Sequence, residues 1–169
     1  MKKWITLILG AALVLSLAAC GKQEKTTPST ETQGLGGQVQ IANPFRDCST
    51  LAEAQSVAGF DITLPEAAPE WATDTAIRAM EGNMLEVIYS SDTDKLSIRK
   101  SSDSEDPSGN YGHFEEISEM EVAGLRVTTK GNSGKIFVAV WTDGDYAFSI
   151  DSATGLSQDD LTAMISAIQ

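Results

Sequence analysis

The stretch KIFVAVWTDGDYAFSID, residues 135–151, decides the fold of this chain. Every residue from Ile136 to Val140 is apolar, which predicts a strand inside a sheet, and DYAFSID predicts the strand that follows. Asp143-Gly144 between them favours a tight turn of the primed type, which joins neighbouring antiparallel strands. The stretch therefore predicts a central β-hairpin.

Further strand-like segments precede this hairpin and are separated by short turns. They are FDITLP (60–65), TAIRAM (75–80), MLEVIYS (84–90), KLSIRK (95–100), FEEISEMEV (114–122) and LRVTTK (125–130). Most of the connections are too short to hold a crossover helix, so consecutive strands should pair antiparallel. We expect an antiparallel sheet of about seven or eight strands.

The segment GLSQDDLTAMISAIQ, residues 155–169, predicts a helix at the C-terminal end of the sequence. Ser157 followed by Asp160 resembles a capping box, and acidic residues suit the positive end of a helix dipole. The residues Leu161, Met164, Ile165 and Ile168 form one apolar stripe. The helix should therefore dock on the sheet.

A second short helix is predicted before the first strands, within DCSTLAEAQSVAG, residues 47–59. Asp47 or Ser49 can cap its start, and Gly59 is typical of a helix end. Its apolar positions, Leu51, Ala54, Val57 and Ala58, fall on one side. The fold class we predict is α+β, with the N-terminal and C-terminal helices packed on one face of the sheet.

The first 42 residues have a different character from the rest. Met1-Lys2-Lys3, an apolar run and a small-residue end are typical of a secretory signal, and the run is shorter than the roughly 20 residues of a comfortable membrane span. From Gly21 to Ala42 the sequence is rich in Lys, Gln, Glu, Thr, Pro, Ser and Gly, which predicts a disordered tether. One globular domain over 43–169 follows it.

The residues Leu17-Ala18-Ala19-Cys20 resemble the lipobox of bacterial lipoproteins. The resemblance implies a diacylglyceryl group on the sulfur of Cys20, cleavage after residue 19, and a mature chain that starts at Cys20. We therefore predict a signal peptide over 1–19 and a lipidated tether over 20–42, on the extracytoplasmic face of the cell membrane. Ordinary secretory cleavage near Ala19 and a retained transmembrane helix are the alternatives.

The domain itself resembles an uncharacterised family of extracytoplasmic domains of unknown function in lipoproteins and membrane-anchored regulators of low-GC Gram-positive bacteria. The similar segments are NPFRDCSTLAEAQSVAGFDITLPE (43–66), DPSGNYGHFEEI (106–117) and WTDGDYAFSIDSATGLSQDDLTAMISAI (141–168). The resemblance implies an envelope context and a common fold, and it supplies no catalytic or ligand-binding residue to carry over. The family pattern favours Asp where this chain has Asn110, so it implies no acidic role for that loop here.

Few residues of the chain are suited to catalysis. His113 is the single histidine, and no nucleophile-elbow pattern accompanies it, so we expect a loop or strand-edge residue. GNSGK at 131–135 lacks phosphate-loop spacing and predicts a turn. Cys48 should be a small buried hydrophobe, without a disulfide partner once Cys20 is lipidated. We predict no enzyme, no catalytic residue, no cofactor and no metal site.

The chain is strongly acidic, with a formal net charge of −12. Loss of residues 1–19 removes Lys2 and Lys3 and no acidic residue, which leaves 10 basic and 24 acidic residues and a net charge of about −14. Such a surface repels nucleic acid and anionic wall polymers. The acidic residues Asp92, Asp94, Asp103, Glu105, Asp106, Asp143 and Asp145 fall in predicted turns, where a solvated surface is favoured over weak calcium binding.

These features favour a membrane-anchored binding or sensing module over two alternatives. The ligand would be a protein, a peptide or a small molecule, bound by the exposed sheet face or by the loops around Trp71 and Ser101–Gly112. The alternatives are an accessory subunit of an envelope complex and an unrecognised hydrolase. A deep pocket with a strongly shifted carboxylate would favour the hydrolase. Trp141 should belong to the core.

Overall fold

A computed structural model describes residues 43–103 and 105–169, which build eight strands and two helices. The elements are β1 (Arg46–Cys48), α1 (Leu51–Ala58), β2 (Asp74–Met80), β3 (Met84–Ser90), β4 (Lys95–Ser101), β5 (Glu116–Val122), β6 (Leu125–Asn132), β7 (Lys135–Asp143), β8 (Tyr146–Leu156) and α2 (Gln158–Ala167). The predicted signal peptide, Cys20 and the predicted tether lie outside the described residues.

All eight strands belong to one antiparallel sheet with the order β1-β2-β3-β4-β8-β7-β6-β5. It consists of two four-stranded meanders that join where β4 pairs with β8. The predicted hairpin is confirmed: Asp143 pairs with Tyr146 across a two-residue turn, in which Gly144 has a φ of +58°. β7 pairs with β6 and β8 and is thus an interior strand.

The strand order forces one long connection across the sheet. Because β4 lies in the middle and β5 lies at an edge, residues 102–115 must pass β8, β7 and β6 before the chain can re-enter the sheet. Pro107 and Ser108 in this segment are buried. We call its described residues, 102–103 and 105–115, the crossing loop.

The two faces of the sheet are covered differently. The first carries the aligned residues Val87, Ile98 and Ile150, which share one apolar cluster with Ala54 of α1 and Leu161 of α2. We call it the helix-covered face. The opposite face, the loop-covered face, carries the crossing loop. The sequence predicted an exposed face opposite the helices, and this loop covers part of it instead.

The core is centred on aromatic and branched residues of the helix-covered face. Trp141, of which 2% is exposed, stacks on Phe148 with ring centres 5.4 Å apart. The predicted core position of Trp141 is therefore confirmed. Burial of aromatic rings of this size contributes a large share of the hydrophobic stabilisation of a small domain.

The helix ends agree with the sequence at α2 and only in part at α1. The Ser157 hydroxyl accepts a hydrogen bond of 3.1 Å from the Asp160 amide, as the capping box predicted. At α1 the cap is Thr50, so the prediction of Asp47 or Ser49 is wrong. Asp47 is unable to cap α1 because it lies within β1. Gly59 ends α1 in the left-handed conformation with φ +81°, as predicted.

The predicted strand at FDITLP is also wrong. Ile62 is buried, as the alternation predicted, but the segment pairs with no strand. Thr63 instead exchanges two backbone hydrogen bonds with Gln169, of 2.9 and 3.3 Å. Pro65 follows soon after and lacks the amide hydrogen that a longer ladder would need. The eighth strand is β1, which was not predicted.

Candidate functional site

A largely apolar pocket of about 410 Å³ opens on the helix-covered face, between α2 and the segment 65–71. Its wall is formed by Pro65, Ala67, Pro69, Glu70, Trp71, Tyr89, Leu96, Leu156, Asp160, Ala163 and Met164. The floor comes from the ends of β3, β4 and β8. We call this cavity the Trp71 pocket.

The segment 65–71 is held in an irregular course by its prolines and by the strand that follows. Pro65 and Pro69 disfavour both helix and interior strand. The Ala72 amide donates to the Pro69 carbonyl at 2.9 Å, and the Thr73 amide donates to the Ser90 carbonyl at 2.9 Å. These bonds fix the segment against the end of β3. Trp71 is consequently held half-buried at the pocket wall.

Helix α2 supplies the other wall because its apolar stripe is wider than the core requires. Leu161 and Ile165 are fully buried against the sheet. Met164, next to them on the helix, is only half-buried and lines the pocket with Ala163. One side of α2 thus packs in the core, and the neighbouring side lines the pocket.

Three polar side chains reach the pocket wall. Tyr89 is 7% exposed, and burial raises the pKa of its hydroxyl with no contribution from a charge or a hydrogen bond. The phenol therefore stays neutral and keeps its capacity to donate and to accept. Glu70 and Asp160 are exposed carboxylates at the mouth, and no basic side chain is among the described residues of the wall.

A charged cluster lies on the loop-covered face. The Glu86 carboxylate is 0% exposed and accepts hydrogen bonds from Arg78 and, at 2.8 Å, from Arg99. Arg99 also donates to the Pro107 carbonyl at 2.9 Å. Glu86 thereby orients the guanidinium group that holds the crossing loop. Both carboxylate oxygens of Glu86 accept from a guanidinium group, which indicates a structural role.

Two further contacts hold the crossing loop to the sheet. Lys130 Nζ lies 2.7 Å from an Asp106 carboxylate oxygen. The side-chain Nδ2 of Asn110 donates to a carboxylate oxygen of Asp151 at 2.7 Å. Asn110 therefore acts as a donor towards a carboxylate. An Asp at this position would place two carboxylates side by side.

The remaining residues singled out from the sequence lie outside the Trp71 pocket. His113 is exposed in the crossing loop. Cys48 is half-buried in β1, and partial burial followed by the charge of Glu53 raises the pKa of its thiol. A raised pKa lowers the thiolate fraction and hence the reactivity of the sulfur. The GNSGK segment is the predicted turn, between β6 and β7.

The acidic turns do not come together as a metal site. Within 43–103 and 105–169, no group of three or more His, Cys, Asp or Glu side chains has the geometry to hold a metal ion. Individual carboxylates have polar partners instead, such as Asp94, which accepts from the Thr154 hydroxyl at 2.8 Å.

Trp71 was predicted as part of a binding surface, and the structure places it in the pocket wall. Tyr89, Leu96 and Met164 were not predicted as site residues, because they come from three separate elements that only the fold brings together. Pro65 and Pro69, which precede Trp71, are a local signal that this segment is irregular.

None of the described helices is long and apolar enough to cross a membrane. Comparisons of the chain with protein-family models, with curated protein sequences and with solved structures find no match. The resemblances to the lipobox and to the uncharacterised extracytoplasmic family therefore stay predictions. The Trp71 pocket is the candidate binding site on the strength of its geometry alone.

Proposed function

We propose that the protein is a membrane-anchored extracytoplasmic lipoprotein whose domain, residues 43–169, binds a ligand in the Trp71 pocket. The observation that carries the binding function is an apolar cavity of about 410 Å³ with Trp71 and Tyr89 in its wall. Ligand pockets of proteins commonly enclose about 300–1,000 Å³ and combine apolar walls with a few polar groups. The Trp71 pocket has both properties.

The hydrophobic effect favours an occupant for this cavity. Trp71 and Met164 leave apolar surface in contact with water in the free domain. Covering such surface contributes about 25 cal/mol per Å². Tyr89 lines the pocket, and its hydroxyl is able to donate or accept a hydrogen bond with an occupant. An apolar ligand with one polar end therefore fits the pocket.

The binding function is tested with N-phenyl-1-naphthylamine, a neutral apolar dye whose fluorescence rises on leaving water. We expect saturable binding to the domain with one dye per molecule. Ala163→Trp places a large ring in the pocket wall and should weaken binding at least tenfold. Ser166→Trp is the matched control, since Ser166 is exposed on the same helix and does not line the pocket. Equal binding by the two variants would show that the dye binds elsewhere.

The membrane location rests on Cys20, because Leu17-Ala18-Ala19-Cys20 resembles a lipobox. The wild-type protein should partition with membranes and carry a diacylglyceryl mass on a chain that begins at Cys20. Cys20→Ala removes the acceptor and should leave uncleaved precursor or unlipidated protein in the medium. Mass spectrometry of the mature N-terminus decides the matter: an unmodified chain that starts after Cys20 contradicts the proposal.

A further inference from the structure

The charged side chains in the described wall of the Trp71 pocket are all acidic, which ligand binding does not by itself require. Its wall contains Glu70 and Asp160 and no basic side chain among the described residues. Asp159 adds a further carboxylate in the first turn of α2. A ligand of the same sign would be repelled from the mouth, and a cation would be attracted.

The dipole of α2 opposes this attraction but is the smaller effect. The N-terminus of a helix carries a partial positive charge of about half an elementary charge. Asp159 and Asp160 place two carboxylates in that same turn. The carboxylates outweigh the dipole, so this end of α2 stays negative overall.

The aromatic rings of the wall favour the same kind of ligand. The faces of Trp and Tyr rings attract ammonium groups that approach within about 6 Å of the ring centre. This domain already holds one ammonium group in that way. Lys100 Nζ lies 4.5 Å from the ring centre of Tyr146 and 5.0 Å from that of Phe148. Trp71 and Tyr89 are the aromatic residues that line the pocket, and half-buried Trp71 is the more exposed of the two.

The size of the pocket limits the ligand. At about 410 Å³ the cavity lies near the lower end of the range for ligand pockets. It is bounded by the segment 65–71 on one side and by α2 on the other. A compact molecule fits such a cavity better than an extended peptide, which needs a long groove or a free sheet edge.

We propose that the Trp71 pocket selects small organic cations, in which an apolar group enters beside Leu96 and Met164 and an ammonium group stays at the mouth near Glu70 and Asp160. The selectivity rests on the proposed binding function, since it assigns a ligand class to the same pocket. The negative charge at the mouth favours a positively charged ligand, and the apolar wall favours a ligand with a hydrocarbon group.

The test uses three probes with the same eight-carbon chain: octyltrimethylammonium, 1-octanol and octanoate. Calorimetric titration of the domain at low salt should give binding of the cation at least tenfold tighter than that of the alcohol, and octanoate should bind weakest. Added salt should reduce the preference for the cation, because exposed carboxylates are screened.

Glu70→Gln should reduce the preference for the cation over the alcohol at least threefold. Glu66→Gln is the control, since Glu66 is exposed in the same region and does not line the pocket. If Glu66→Gln reduces the preference as much as Glu70→Gln, the attraction is a general property of the acidic surface, and the assignment to the pocket is wrong.

The probes separate this inference from the function on which it rests. Equal binding of the cation and the alcohol, both blocked by Ala163→Trp, would overturn the cation selectivity and keep the binding function. Failure of all three probes and of the neutral dye would overturn both. A blocked leucyl-lysine amide provides the last comparison: if it binds more than tenfold tighter than octyltrimethylammonium, the occupant is a peptide and the small-cation assignment is wrong.

Discussion

Replacement of Glu86 by Gln should destabilise the domain more than any other loss of a single charge on the sheet. Glu86 is fully buried on the loop-covered face, where its two oxygens accept from Arg78 and Arg99. Glu86→Gln keeps the shape of the side chain and removes its charge. Two guanidinium groups are then left facing a neutral amide, and the nitrogen of that amide is forced against one of these donors.

The expected loss follows from the burial of the three side chains. Breaking a buried ion pair by removing one partner costs about 3–5 kcal/mol, because the other charge stays uncompensated. The side chains of Arg78 and Arg99 remain 27% and 18% exposed and regain some hydration. We therefore expect the lower end, about 3 kcal/mol. For a domain of this size that corresponds to a fall in Tm of about 12 °C.

Urea unfolding followed by circular dichroism measures the change in the free energy of unfolding. Glu119→Gln is the matched control, since Glu119 lies 4.0 Å from Arg126 with both side chains mostly exposed. Exposed pairs of this kind contribute about 0–1 kcal/mol. A loss below 1 kcal/mol in Glu86→Gln, or equal losses in the two variants, would refute the view that the Glu86 cluster holds the crossing loop.

Three further predictions concern the core and the crossing loop. Ile165→Ala should cost about 3 kcal/mol in urea unfolding, since large-to-small changes at fully buried positions cost about 2–5 kcal/mol; a loss below 1 kcal/mol would contradict the docking of α2. Burial opposes ionisation of Asp106, but hydrogen bonds from Lys130 and Ser108 outweigh burial and lower the pKa of the carboxyl. At neutral pH the wild-type domain should therefore be more stable than Asp106→Asn, and this difference in the free energy of unfolding should vanish as the pH falls through the lowered pKa. Asn110→Asp should destabilise the domain at neutral pH by about 1–2 kcal/mol in urea unfolding, because the hydrogen bond to Asp151 is lost and a second carboxylate faces it.

Local signals predicted much of the fold because they act over a few residues. Ser157 and Asp160 are close enough in sequence to specify the start of α2, and Gly144 specifies its hairpin turn. FDITLP has the alternation of a strand, and that alternation does explain why Ile62 is buried. It does not reveal whether a neighbouring strand is free to pair, which depends on the whole sheet.

The site was less predictable because it depends on strand order. Because β8 pairs with β4 in the middle of the sheet, helix α2, which follows β8, lies close to β4. Met164 of α2 and Leu96 of β4 therefore line the same pocket. The same order sends the crossing loop over the face that was expected to be free. Trp71 was predicted as part of a binding surface, while the residues that line the pocket with it come together only in the folded structure.

The most direct measurement follows the tryptophan indole signals of the ¹⁵N-labelled domain in NMR spectra during titration with octyltrimethylammonium. The chain has three tryptophans, of which Trp4 precedes the domain, so the domain contributes Trp71 and Trp141, and a Trp71→Phe variant assigns them. Trp71 lines the pocket and Trp141 is buried in the core. We predict a saturable shift of the Trp71 signal with the Trp141 signal unchanged. An unchanged Trp71 signal, or equal shifts of both signals, would contradict a binding site in the Trp71 pocket.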